Sequence, residues 1–197
     1  MDHKRVFRIR DQIKNIYLAA KSFVLLKKSK KHRLMNKKLK ERIMLAVTEV
    51  NGCSMCSFVH TKLALSSGMS SKEINNILDG IHNDIPIEDS VAVVFAQHFA
   101  DSSENPSGEA LSRLIEEYGS KKSELILAAC NVITMTNGMG TSMDYLYSRL
   151  KFNRNKESNI VLEILNPLLT MVLFPLLVIG FYVKNIFSRP RLIKAYN

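Results

Sequence analysis

Tryptophan is absent, and cysteine, proline and glycine number only 3, 5 and 8 in 197 residues. Three cysteines cannot build a disulfide scaffold, and an odd count in a chain this long points to a reducing compartment. No uninterrupted apolar run forms before Lys14, which argues against a cleaved signal peptide and leaves the thiols in the cytoplasm. Scarce glycine and proline with 46% hydrophobic residues suit one helical domain with extensions, not two full domains. Period-two alternation is also missing, so the body is expected to be all-α.

Acidic residues are nearly missing from positions 1–40, which hold 14 Lys and Arg against 2 acids. The balance reverses in 41–150, with 7 against 14, and returns to 7 against 2 in 151–197. An acidic body between basic ends implies different partners for the middle and the ends. The division expected is a basic amphipathic extension over 1–34, a helical domain over 35–157 and a hydrophobic segment with a basic tail over 158–197.

Val6, Ile9, Ile13, Ile16, Ala20 and Phe23 recur at helical spacing, with Arg8, Arg10, Lys14 and Lys21 off that stripe. The helix runs into a cluster from Lys27 to Arg33, followed by Lys37, Lys38 and Lys40. Anionic lipid is the first partner such a stretch suggests and nucleic acid the second; packing on the body through the stripe is the plain alternative. At the other end, residues 164–183 carry no charge, a length that suffices to cross a bilayer. Pro167 and Pro175 predict a kinked or re-entrant path, and burial between subunits is the soluble alternative.

Between the ends, helices are expected over 39–50, stopping at Asn51-Gly52, then from Cys53 or Ser54 to Gly68, and from the capping box Ser70-Ser71-Lys72-Glu73 to Gly80. Further helices are expected over 88–100, up to Tyr118-Gly119, over 121–136 and, after an interruption at Gly138 and Gly140, over 142–150.

The chemistry concentrates at Cys53, Cys56 and His60. Spacings of three and four place all three on one helical face, with the sulfurs in disulfide reach, and a cysteine at a helix N-terminus gains thiolate character. Two inert buried cysteines are the bland reading. Zinc would need a further ligand pair, yet only Cys130 and the scattered His3, His32, His82 and His98 remain, so neither metal nor cofactor is expected. Cys130 sits in an apolar helix as a core residue.

Taken with Glu41 twelve residues upstream, Asn51-Gly52-Cys53, Cys56 and His60 resemble the E…NGCxxCxxxH pattern of alkylhydroperoxidase D and the carboxymuconolactone decarboxylase-like superfamily. The likeness extends through Phe95 to Asp101, Asn105-Pro106, Glu116 to Gly119, Asn137 to Gly140 and Asp144 to Leu150, and covers about residues 35–157. It implies an all-α, alkylhydroperoxidase D-like bundle assembled as a trimer or hexamer. By resemblance, Cys56 attacks peroxide, Cys53 resolves, His60 accepts the proton and Glu41 orients it. One departure stands out: Met55 occupies the position that is His in alkylhydroperoxidase D, which removes one relay member and predicts low peroxidase rates. Glu49 reads as a solvated surface residue. The lactone decarboxylase branch typically lacks the redox pair, so the two cysteines argue against that activity.

The expectation is a cytoplasmic thiol oxidoreductase that reduces peroxides or disulfides, draws on an external dithiol and touches an anionic membrane through residues 1–40 and 160–197. A redox-sensing or interaction module without turnover is the alternative on the same fold. Nucleic-acid binding ranks last, because no interleaved aromatic pattern accompanies the basic stretch.

Overall fold

A computed structural model describes residues 4–29, 34–153 and 155–196. Part of the basic cluster, Lys30 to Arg33, and two of the scattered histidines, His3 and His32, lie outside the described residues. Seven helices and no strand occur among the described residues: α1 (Ile9–Ser29), α2 (Lys37–Asn51), α3 (Ser54–Ser66), α4 (Ser71–Leu78), α5 (Ile87–Asp101), α6 (Gly108–Leu150) and α7 (Ile160–Lys184), then a short 3-10 turn, Ile193–Ala195. The protein is all-α, as its patterning predicts.

The helix ends follow local chemistry. Asn36, Ser70 and Ser107 cap α2, α4 and α6 by accepting the backbone N–H of Leu39, Glu73 and Ala110. Gly52 ends α2 at φ 68°, a left-handed conformation that glycine adopts without a Cβ penalty. The capping box at Ser70 is half used, since the Glu73 carboxylate turns inward to the Arg42 guanidinium at 2.6 Å. Arg42 also donates to Asp89 at 2.6 Å, so one buried arginine ties α2 to α4 and α5.

The break predicted at Gly119 is present, where φ 69° and ψ 157° interrupt α6. The break predicted at Gly138 and Gly140 is not: α6 passes straight through both. Their role is close packing. A Cβ on Gly138 would meet Gln12 and Phe7, and one on Gly140 would meet the sulfurs of Cys53 and Cys56.

The core lies where α2, α5 and the middle of α6 meet, built from residues such as Leu39, Ile43, Leu45, Phe99, Ile126 and Ile133. On its other side α6 packs against α1 and α7. Gln12 Nε2 donates to the Met135 carbonyl at 3.1 Å and the Thr170 hydroxyl at 2.8 Å, and Asn166 Nδ2 to the Phe7 carbonyl at 2.8 Å. The buried face of α1 therefore includes Gln12, Asn15 and Ser22, while Ile13 of the expected apolar stripe is exposed. The tail folds back: Leu192 is buried and the Tyr196 hydroxyl donates to Asn131 Oδ1 at 2.6 Å.

Residues 160–184 form one helix despite Pro167 and Pro175. It is the one helix among the described residues long and apolar enough to cross a membrane.

Candidate active site

The site grows from the turn between α2 and α3. The Gly52 N–H returns to the Thr48 carbonyl at 2.9 Å, closing α2, and reverses the chain so that Cys53 becomes the N-cap of α3. Arg5, near the start of the described chain, clamps this turn. Its backbone N–H donates to the Asn51 carbonyl at 3.1 Å, and its guanidinium reaches Asn51 Oδ1 at 3.2 Å and the buried Glu104 carboxylate at 2.5 and 3.1 Å. The first turn of α3 is tethered as well: Ser54 donates to Asp144 of α6, which Lys4 reaches at 3.2 Å.

Cys53 and Cys56 are joined as a disulfide with Cα atoms 5.3 Å apart. The Cys56 N–H donates to Cys53 Sγ at 3.2 Å. In the reduced state the same N–H, together with the positive end of α3, favours negative charge on sulfur. Both are buried, Cys53 at 0% exposure and Cys56 at 8%, so of the two residues only Cys56 reaches the surface. Behind them stands α6, with the Thr136 carbonyl 3.6 Å from Cys56 Sγ and no side chain at Gly140. Asn137 holds this wall to α2 by accepting from Thr48 Oγ1 at 3.2 Å.

One turn further along α3, His60 Nδ1 lies 2.7 Å from Glu41 Oε2. The second carboxylate oxygen of Glu41 receives Lys40 Nζ at 3.2 Å. Burial opposes ionisation of Glu41, but the hydrogen bond from His60 and the charge of Lys40 outweigh it and hold its pKa below the ordinary carboxylate range. A carboxylate on Nδ1 fixes that nitrogen as the donor, so in the neutral ring Nε2 is the acceptor. The structure thus gathers the four sequence-derived residues as two bonded pairs: Cys53 with Cys56, and His60 with Glu41. Cys56 and His60 share a face of α3 through their spacing of four.

Residues 21–82 match the model of the carboxymuconolactone decarboxylase family. The matched segment starts inside α1 and runs past α4, less than a third of the chain, and it contains all four site residues. No curated protein and no solved structure matches the chain. In the family-matched segment Met55, at the position between the cysteines, is an exposed side chain.

Other candidates fall elsewhere. Cys130 is fully buried and its thiol is pushed far up by desolvation, which makes it inert core. Glu49 is not a solvated surface group: it is half-buried, accepts a long hydrogen bond from Gln97 at 3.5 Å, and desolvation raises its pKa. His98 Nε2 accepts the Ser107 N–H at 3.2 Å, a loop-holding role. Among the described residues no group of three His, Cys, Asp or Glu is gathered to hold a metal.

Sequence reasoning missed Arg5 and Thr136, and it gave Gly140 and Asp144 no part in the site, although the runs from Asn137 to Gly140 and from Asp144 to Leu150 both belong to the likeness; the first reads as a helix break and is a close approach. A cavity of about 450 Å³, floored by Phe23, Leu26, Met35 and Met44 and rimmed by Lys37, reaches Lys40, the partner of Glu41.

Proposed function

We propose that the protein is a thiol-dependent oxidoreductase that reduces peroxides, and secondarily disulfides, by cycling the Cys53–Cys56 pair. The observation that carries this reading is the disulfide at the first turn of α3 with the bonded His60–Glu41 pair one turn beyond.

In the proposed cycle the Cys56 thiolate attacks the peroxide O–O bond, forming the sulfenic acid and releasing an alkoxide that takes a proton and leaves as alcohol or water. His60 receives the Cys56 proton through Nε2 and returns it to that leaving oxygen, while Glu41 stabilises the imidazolium. Cys53 then attacks the Cys56 sulfur, expelling water and closing the disulfide. An external dithiol attacks Cys56 and expels Cys53, whose departing thiolate is met by the Cys56 N–H; its second thiol then displaces the Cys56 thiolate from the mixed disulfide and leaves as the oxidised dithiol.

A homo-oligomer accompanies this reading. Phe58, Val59, Leu63 and Leu65 are exposed on α3, an apolar patch beside the site that a second subunit would cover.

The test is peroxide consumption with a dithiol donor, followed alongside stopped-flow thiol oxidation. Cys56→Ser should abolish turnover, and Cys53→Ser should leave Cys56 trappable as a sulfenic acid. Variants indistinguishable from the wild type in both assays would overturn the assignment. A protein that oxidises once but does not turn over would instead be a redox sensor.

A further inference from the structure

We propose that α7 seats the protein flat on an anionic lipid bilayer, in the plane of the headgroup boundary, without crossing it. The fully buried side chains of α7 are all polar, while Leu169, Leu173, Phe174 and Leu177 pack partly buried against Ile16, Ala19 and Met135 and the rest of its apolar surface faces out. Glu163, Asn166 and Thr170 are each at most 5% exposed and face the protein, whereas Met171, Leu176 and Ile179 are more than 60% exposed and face out. The inward polar groups find partners there: Glu163 accepts both arms of Arg149 at 2.6 and 2.7 Å, the Asn166 Nδ2 donates to Phe7 and Ser142, and Thr170 accepts from Gln12; the Asn166 Oδ1 alone of these stays without one among the described residues. Ile160, Val161, Ile164, Leu168 and Val172 continue the outward stripe, which carries no charge until Lys184. A helix of 25 residues extends about 37 Å, so the exposed apolar strip is far larger than the scattered apolar residues of an ordinary surface.

A bilayer fits this strip better than a second protein because basic residues border it at both ends and along α1, with Glu157 the one exposed acid between Lys151 and the start of α7. Lys151 and Lys156 stand exposed before it and Lys184 after it. Alongside runs α1, whose Arg10, Ile13, Lys14 and Tyr17 are exposed and share one helical face by spacing. Tyr17 packs edge-on against Phe181 of α7, with ring centroids 5.2 Å apart, so the basic and apolar faces adjoin. Apolar side chains flanked by lysine and arginine, with Phe152 and Phe187 fully exposed at the two ends, are the composition of an interfacial helix.

Crossing is excluded by the neighbours. Gln12 of α1 bonds Thr170 near the middle of α7, so Arg10 and Lys14 would ride to the bilayer centre with it. Each such charge opposes insertion by about a hundredfold. Lying flat, the same charges meet lipid phosphate.

Vesicle flotation of the full chain tests this, using phosphatidylcholine vesicles and vesicles of equimolar phosphatidylcholine and phosphatidylglycerol. The protein should float with the anionic vesicles, detach as salt rises, and be released from them by alkaline carbonate. The triple variant Leu168→Glu, Met171→Glu, Leu176→Glu should bind about a hundredfold more weakly or worse, with its helical circular dichroism and its dithiol-dependent peroxide turnover unchanged. Equal flotation with neutral vesicles overturns the anionic surface, and retention through carbonate overturns the flat seating. Failure to float, combined with a smaller oligomer for the triple variant in sedimentation, assigns the strip to a second copy and overturns the proposal.

Discussion

A Cβ on Gly140 would stand 2.6 Å from Cys53 Sγ and 3.2 Å from Cys56 Sγ, so the redox pair occupies the space that a side chain on α6 would fill. Gly140 has helical backbone, and on propensity alone alanine would stabilise it by about 1 kcal/mol. Overpacking against two sulfurs held by a turn reverses the sign: Gly140→Ala should destabilise the oxidised protein by about 1–3 kcal/mol in denaturant unfolding. Most of that loss should vanish when Cys53→Ala is combined with it.

Glu41 is expected to act through His60. Glu41→Gln should lower kcat/KM for peroxide by roughly ten- to a hundredfold while Cys56 remains oxidisable, because the ring loses its orienting carboxylate but not its acceptor nitrogen. A depressed folded pKa means that the stabilisation from ionised Glu41 is present above the ordinary carboxylate range and is lost as pH falls through the folded value. Thermal unfolding of the wild type and Glu41→Gln should therefore converge on acidification and separate again toward neutrality.

Glu49 should behave oppositely. Desolvation raises its pKa, so its ionisation opposes folding once the pH exceeds the ordinary carboxylate range. Glu49→Gln should be more stable than the wild type at neutral pH, and that gain should fade as the pH is lowered. Urea midpoints measured across the pH range would check the sign.

Arg42 holds Glu73 and Asp89 together in a buried triad. Arg42→Met leaves two carboxylates without their cation and should cost about 3–5 kcal/mol in urea unfolding. Replacing all three residues by apolar ones of similar volume should recover most of the loss, since the pairing offsets desolvation more than it adds to it.

Local rules made the ends of α2 and α4, the Gly119 break and the E…NGCxxCxxxH spacing readable before any coordinates. Each rests on neighbours within a few residues: a left-handed glycine, a serine cap, one helical face. What the pattern could not disclose is set by distant partners. Gly138 and Gly140 look like helix breakers until Gln12 and Cys53 are known to press against them. The stripe from Val6 to Phe23 suggests an apolar contact face, yet α1 buries Gln12, whose amide N–H meets a carbonyl of α6 and a hydroxyl of α7. The run over 164–183 gives length and apolarity, but which side of the helix faces protein depends on Arg149, Phe7 and Ser142.

The Arg5 clamp also sets a clock on biosynthesis. Its carboxylate partner Glu104 lies 99 residues downstream, and Asp144, which holds Lys4 and Ser54, emerges later still. Glu104 follows Cys53 by 51 residues, so at ribosomal speeds of about 5–20 residues per second the turn waits roughly 3–10 s for it. Throughout that interval the cysteine turn exists without the braces that fix it. The nascent chain therefore carries its two thiols as an unlocked segment, and the mature spacing of the sulfurs is acquired only when Lys4 and Arg5 meet Glu104 and the Asp144 end of α6.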